Sequence, residues 1–96
     1  MYIITAKIEF DPAKDAVNTT QHSVSLQVAE GFDWDTAIVV EDDRFDYGEV
    51  RFYAISYIGN RLYTLIYTDG SHEHSIRAIS LWRSTRSEVK RYETQI

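Results

Sequence analysis

Ninety-six residues with 44% hydrophobic and 14% aromatic content are enough for one compact core, so a single domain over 1–96 is expected and global disorder is not. The absence of cysteine excludes disulfides and thiolate metal sites, and no stretch approaches the length of an apolar membrane span. A net charge of −5 disfavours a general nucleic-acid binder, but residues 1–75 hold 13 acidic and 5 basic side chains, whereas 76–96 set Arg77, Arg83, Arg86, Lys90 and Arg91 against only Glu88 and Glu93.

The chain begins with a β-rich run, 3–10, expected to be the first strand. Nothing in the opening residues resembles the basic start and long apolar run of a signal peptide, so the expectation is a soluble cytoplasmic protein. Asp11-Pro12 opens a helix over 12–21, because aspartate caps well and proline needs no N–H partner at the first helical position. Ser25 is placed to cap a second helix running to about Phe32, with Gly31 near its end. A short β-branched run over 36–40 follows, then an acidic loop over 41–47. Three strands come next, over 50–58, 61–68 and 73–81, joined by turns at Gly59-Asn60 and Asp69-Gly70. Alternation in the third puts Ile76, Ala78 and Ser80 on one face and Ser75, Arg77 and Ile79 on the other. Thr85 and Glu88 form a capping box for a last helix reaching about Gln95, with Val89 and Tyr92 inward. Helices grouped against an antiparallel meander predict an α+β domain.

Three blocks of this sequence carry a resemblance. Phe10-Asp11-Pro12-Ala13-Lys14, then Asn18 and His22-Ser23-Val24-Ser25-Leu26, is similar to an opening W/F-D-P-x-K, a later N, and K-H-G-V-x-F. Gly48-Glu49-Val50-Arg51 resembles a G-E-x-R segment entering the meander. Ile76-Arg77-Ala78-Ile79-Ser80, with Arg83, Thr85-Arg86, Glu88 and Tyr92, resembles R-I-I-S-A-R-x-A-T followed by E and Y. In this order and spacing the blocks resemble the BrnT family of bacterial toxins over nearly the whole chain. The resemblance implies a RelE-like fold, ribonuclease activity that inhibits translation, and no cofactor or metal. It also implies a BrnA-like antitoxin partner, through which the complex would bind operator DNA. At the second arginine of the family's third block this chain has Trp82, with Arg83 the next residue. Adjacent side chains on a continuing strand face opposite ways, so Arg83 substitutes for that charge only if the strand has ended or bulged there.

RNA supplies its own nucleophile, the 2′-hydroxyl, so a protein must align it, assist proton transfer and stabilise charge on phosphate. The planar fork of arginine suits the last task. Arg77, Arg83 and Arg86 are therefore the expected cationic site, with Arg51 and His22 as support or proton-transfer candidates. Trp82, Lys90 and Arg91 are the expected RNA contacts. Each has a plainer use. Arg77 and Arg51 could pair with Glu49, and His22 could simply complement a helix C-terminus. Lys14 reads as a surface charge, and Tyr53, Tyr57, Tyr63 and Tyr67 as cross-strand packing. His72 and His74 would share a face if they lay in a strand, but two ligands do not make a metal site. The alternative to the nuclease is a catalytically degenerate relative that only binds its antitoxin and acts as a co-repressor.

Overall fold

The computed structural model describes residues 7–95. The elements are β1 (Lys7–Glu9), α1 (Pro12–His22), a 3₁₀ helix (Leu26–Gly31), β2 (Ile38–Asp42), β3 (Arg51–Ile58), β4 (Arg61–Asp69), β5 (Ser75–Arg83) and α2 (Arg86–Thr94). The first half of the first expected strand, 3–6, lies outside the described residues.

The five strands form one sheet in the order β1-β5-β4-β3-β2. β2 to β5 pair antiparallel, but β1 pairs parallel with β5, so the sheet is mixed rather than antiparallel. The helical stretch after β1 carries the chain to the far edge, where β2 begins the antiparallel run. This leaves β1 beside the last strand of that run, whose direction it shares.

Asp11 caps α1 as expected, its Oδ1 accepting from the Ala13 N–H at 2.9 Å, and Ser23 ends the helix with φ 60°. The only buried residue of α1 is polar: Asn18. Its amide donates to the Leu81 carbonyl at 2.8 Å and accepts from the Leu81 N–H at 3.0 Å. Asn18 thus does for this part of β5 what a neighbouring strand would do, and it fixes α1 along the sheet edge. The expected second helix is a 3₁₀ helix of six residues. That length is less than two α-helical turns, and its start is held by Asp15, which accepts from the Leu26 N–H at 2.7 Å.

Leu26, Ala29 and Phe32 cover one face of the sheet and pack on Ile8, Ala54, Leu65, Ile76, Ala78 and Leu81. The opposite, outer face is covered at one end by α2. There Tyr92 is 2% exposed and its hydroxyl donates to the Thr36 carbonyl at 3.0 Å. The capping box at Thr85 and Glu88 forms as the sequence predicts.

Two turns depart from expectation. Gly59-Asn60 closes a tight hairpin, with Gly59 at φ 65°. The Asp69-Gly70 signal does not; the chain runs on through 70–74 before β5 starts at Ser75. Glu9 accepts from the Ser71 N–H at 3.0 Å, and Ser75 Oγ donates to the His72 carbonyl at 2.7 Å, so side chains set this loop. His72 and His74 therefore lie in a loop rather than on one strand face, which removes the geometric basis of the metal reading. β2 also starts and ends two residues later than expected, so Glu41 and Asp42 belong to the strand.

Candidate functional site

The facing of β5 decides which candidate side chains meet. Ile66 pairs with Ser80 and Tyr67 with Ala78, so Ile79 is an extra residue, a β-bulge. Before the bulge Ile76 and Ala78 point into the core; after it Leu81 does. The alternation expected from sequence holds to Ala78 and then reverses. Arg77 and Trp82 consequently share the outer face. Beyond the bulge the strand is regular, with Trp82 opposite Thr64 and Arg83 opposite Tyr63, so Arg83 points the other way from Trp82 and does not take its place. Arg77 and Arg83 are separated along the strand by roughly 17 Å at about 3.3 Å per extended residue, and they face oppositely. The expected grip of Arg77, Arg83 and Arg86 on one phosphate is not assembled.

What the fold does bring to Arg77 is the Gly48-Glu49-Val50-Arg51 segment. Gly48 takes φ 74°, a conformation glycine adopts freely, and turns the chain from the acidic loop into β3. Arg77 Nη2 donates to Glu49 Oε1 at 2.7 Å and Arg51 Nε donates to Glu49 Oε2 at 3.1 Å. One carboxylate thus sits between two guanidiniums, each oxygen with its own donor. The hydrogen bond from Arg51, helped by the charge of Arg77, holds the Glu49 carboxyl below the usual carboxylate range. The Arg51 guanidinium also lies 4.1 Å from the centre of the Tyr47 ring, which limits its motion. The three side chains are 21–35% exposed, open to a ligand yet partly shielded from water. A guanidinium has five N–H donors, and the hydrogen bonds to Glu49 use one from each, leaving donors for phosphate oxygens.

Tyr53 stands two residues beyond Arg51 on the same face. Its hydroxyl donates to Glu88 Oε2 at 2.9 Å, and Trp82 Nε1 donates to Glu88 Oε1 at 3.0 Å. Burial, reinforced by the Glu88 carboxylate, pushes the Tyr53 phenol up to about 12, so it stays protonated and is no base. Burial alone would raise Glu88, but the N–H of Thr85, the Trp82 indole and the Tyr53 hydroxyl hold it below its ordinary value. This junction of sheet and helix borders a cleft of about 390 Å³ shared by Asp42, Arg44, Tyr53, Trp82, Glu88 and Arg91. Asp42 is occupied: Arg44 Nε donates to it at 2.8 Å and keeps its carboxyl low. Arg91 lies 5.5 Å from the Tyr53 ring centre.

On the other side of Trp82 a second cleft of about 430 Å³ is lined by His22, Trp82, Arg83 and Thr85. The His22 and Trp82 rings have centroids 5.6 Å apart. Arg86 and Lys90 are exposed on α2. The candidates thus fall into two groups. Arg51 and Arg77 meet at Glu49; His22, Arg83, Trp82 and Arg91 gather around the indole. Glu49 was legible only as a partner for arginine, and Glu88 only as a helix cap. The signal for Glu49 was its i, i+2 spacing from Arg51; nothing local announces the hub at Glu88.

A family model described as "Ribonuclease toxin, BrnT, of type II toxin-antitoxin system" matches residues 10–88 of the chain. No curated protein matches it. Among solved structures, the ribonuclease toxin BrnT of Brucella abortus superposes with a TM-score of 0.64 at 21% identity, covering 85% of this chain and 100% of that one. At that identity the likeness speaks for the fold.

Proposed function

The chain belongs to the BrnT family of ribonuclease toxins of type II toxin–antitoxin systems, and from this premise we propose that it cleaves RNA without a metal ion at Glu49, Arg51 and Arg77. The observation that carries this is the meeting of three charged side chains from two separate motif blocks at one accessible spot. Arg51 and Arg77 hold the scissile phosphate and stabilise the charge that builds on its oxygens. Glu49 accepts the proton of the 2′-hydroxyl as that oxygen attacks phosphorus; the bond from phosphorus to the 5′-oxygen breaks, and that oxygen takes a proton from solvent. The two cations keep Glu49 ionised at rest. An arriving phosphate competes for them and adds negative charge beside the carboxylate, which raises its basicity at the moment of proton transfer.

The partner is an antitoxin of the BrnA kind, whose DNA-binding part would bring the pair to operator DNA. Translation inhibition in the cytoplasm and a RelE-like relationship of the fold complete this reading. Trp82 favours a second reading. An indole anchored on Glu88 stands where the family pattern has arginine, which suits a non-enzymatic antitoxin-binding co-repressor.

The pH dependence of cleavage tests the assignment. Because the pKa of Glu49 is depressed in the free protein, its basic form persists as pH falls, and the acid limb of wild-type kcat/KM should lie below about 4.3, the ordinary glutamate value. Glu49→Gln should lower the rate by about 100-fold or more at every pH above that limb. A rate that falls across neutral pH and ignores Glu49→Gln points to imidazole chemistry, with His22 the candidate, and overturns the assignment.

A further inference from the structure

We infer that Trp82 is a stacking platform for an unpaired nucleobase of the RNA strand whose phosphate is held by Arg51 and Arg77. The inference rests on the RNA reading above and adds a second contact to it. The bulge at Ile79 turns Trp82 onto the face that carries Arg77, so one strand of nucleic acid following β5 meets both. The indole is only half-buried and lines clefts on both sides, of about 390 and 430 Å³. Its orientation is set by the hydrogen bond from Nε1 to Glu88, whose carboxylate is itself fixed by the Thr85 N–H at 2.7 Å and the Tyr53 hydroxyl. A ring held this way loses little freedom when a base lies on it.

The surroundings choose the occupant. The cleft of about 390 Å³ sets Glu41, Asp42, Asp43 and Glu88 against Arg44 and Arg91, whereas the cleft of about 430 Å³ is lined by His22, Trp82, Arg83 and Thr85, with the His22 ring centroid 5.6 Å from that of the indole, so the base is placed on the second side. Cations beside an exposed aromatic face suit a π-system carried on a phosphate chain. The chemistry also limits what is read. The single hydrogen-bonding group of the indole is consumed by Glu88, so Trp82 offers its face and nothing else. The contact therefore adds affinity and register but discriminates poorly between bases, since every base has a π-face.

The test uses short single-stranded DNA oligonucleotides, which lack the 2′-hydroxyl and are bound without being cut. Trp82→Ala should weaken binding by about 5- to 150-fold, the range for one lost stack. Trp82→Phe, which keeps an aromatic face but loses the Glu88 bond, should stay within about fivefold of the wild type. In a Trp34→Phe background, emission from Trp82 should be quenched on saturation, with homopolymers of different base binding alike within about tenfold. Trp82→Ala binding as tightly as the wild type, Trp82→Phe failing as badly as Trp82→Ala, or saturation without quenching each overturns the inference. If oligonucleotides bind through Trp82 but RNA is left intact, the nuclease reading fails and the platform stands.

Discussion

Arg77→Ala loses RNA cleavage by about 100- to 1000-fold, the usual cost of removing one donor that stabilises developing oxyanion charge. The variant should remain folded. The Arg77 side chain is 35% exposed and its partner Glu49 32%, so the pair is screened by water and its contribution to stability is small. Two consequences combine in the rate. The phosphate loses one of its two guanidinium forks, and Glu49 loses one of the two cations that keep it ionised and oriented. Arg77→Lys should recover only part of the activity, because an ammonium carries the charge without the fork. Arg61→Ala removes the same charge beside the β3–β4 hairpin, away from the cluster, and should leave the rate within about threefold of the wild type, a size expected from long-range field alone. Equal losses in the Arg77 and Arg61 variants would reduce Arg77 to a contributor of net charge. The check is initial rates on a labelled RNA with melting curves alongside.

The largest expected effect on stability comes from a polar residue. Asn18 is 3% exposed and makes three hydrogen bonds, two to the backbone of Leu81 and one to the Val24 carbonyl at 2.9 Å. Asn18→Ala strips the partners from a buried N–H and carbonyl on β5, and each orphaned group costs about 1–3 kcal/mol. A total of about 2–5 kcal/mol is expected, which lowers the melting temperature by more than about 10 °C in a domain of this size. Asn18→Leu is the sharper variant. It restores volume and adds apolar area yet leaves both groups unpaired, so it should be nearly as damaging as alanine. Recovery of wild-type stability in Asn18→Leu would show that packing, rather than the substitute strand contact, is what this position supplies. The same residue links fold to site: it pins α1 against β5 one turn before His22, and thereby sets the wall of the cleft beside Trp82.

Features governed by neighbouring residues were legible in the sequence. The Asp11-Pro12 start, the Thr85–Glu88 box and the Gly59-Asn60 hairpin all form where expected, because each depends on atoms within a few residues. The misses depend on distant partners. The Asp69-Gly70 signal yields to hydrogen bonds that Ser71 donates to Glu9, 62 residues away in the chain. The parallel pairing of β1 with β5 has no local signature. The bulge at Ile79 matters most for function, since one unpaired residue exchanges the facing of Trp82 and Arg83 and separates Arg83 from Arg77. For the site, the arginines were recognisable by charge and motif, but their meeting point was not. Glu49 and Arg77 lie 28 residues apart and are joined only when the meander closes.

Mass analysis of the ends left on a short RNA, after digestion in excess metal chelator, tests the catalytic proposal most directly. Attack by the 2′-hydroxyl under the control of Glu49 and two guanidiniums predicts 2′,3′-cyclic phosphate and 5′-hydroxyl termini, formed by the wild type and almost absent with Glu49→Gln. Intact RNA, products with 5′-phosphate, or undiminished cleavage by Glu49→Gln would contradict it.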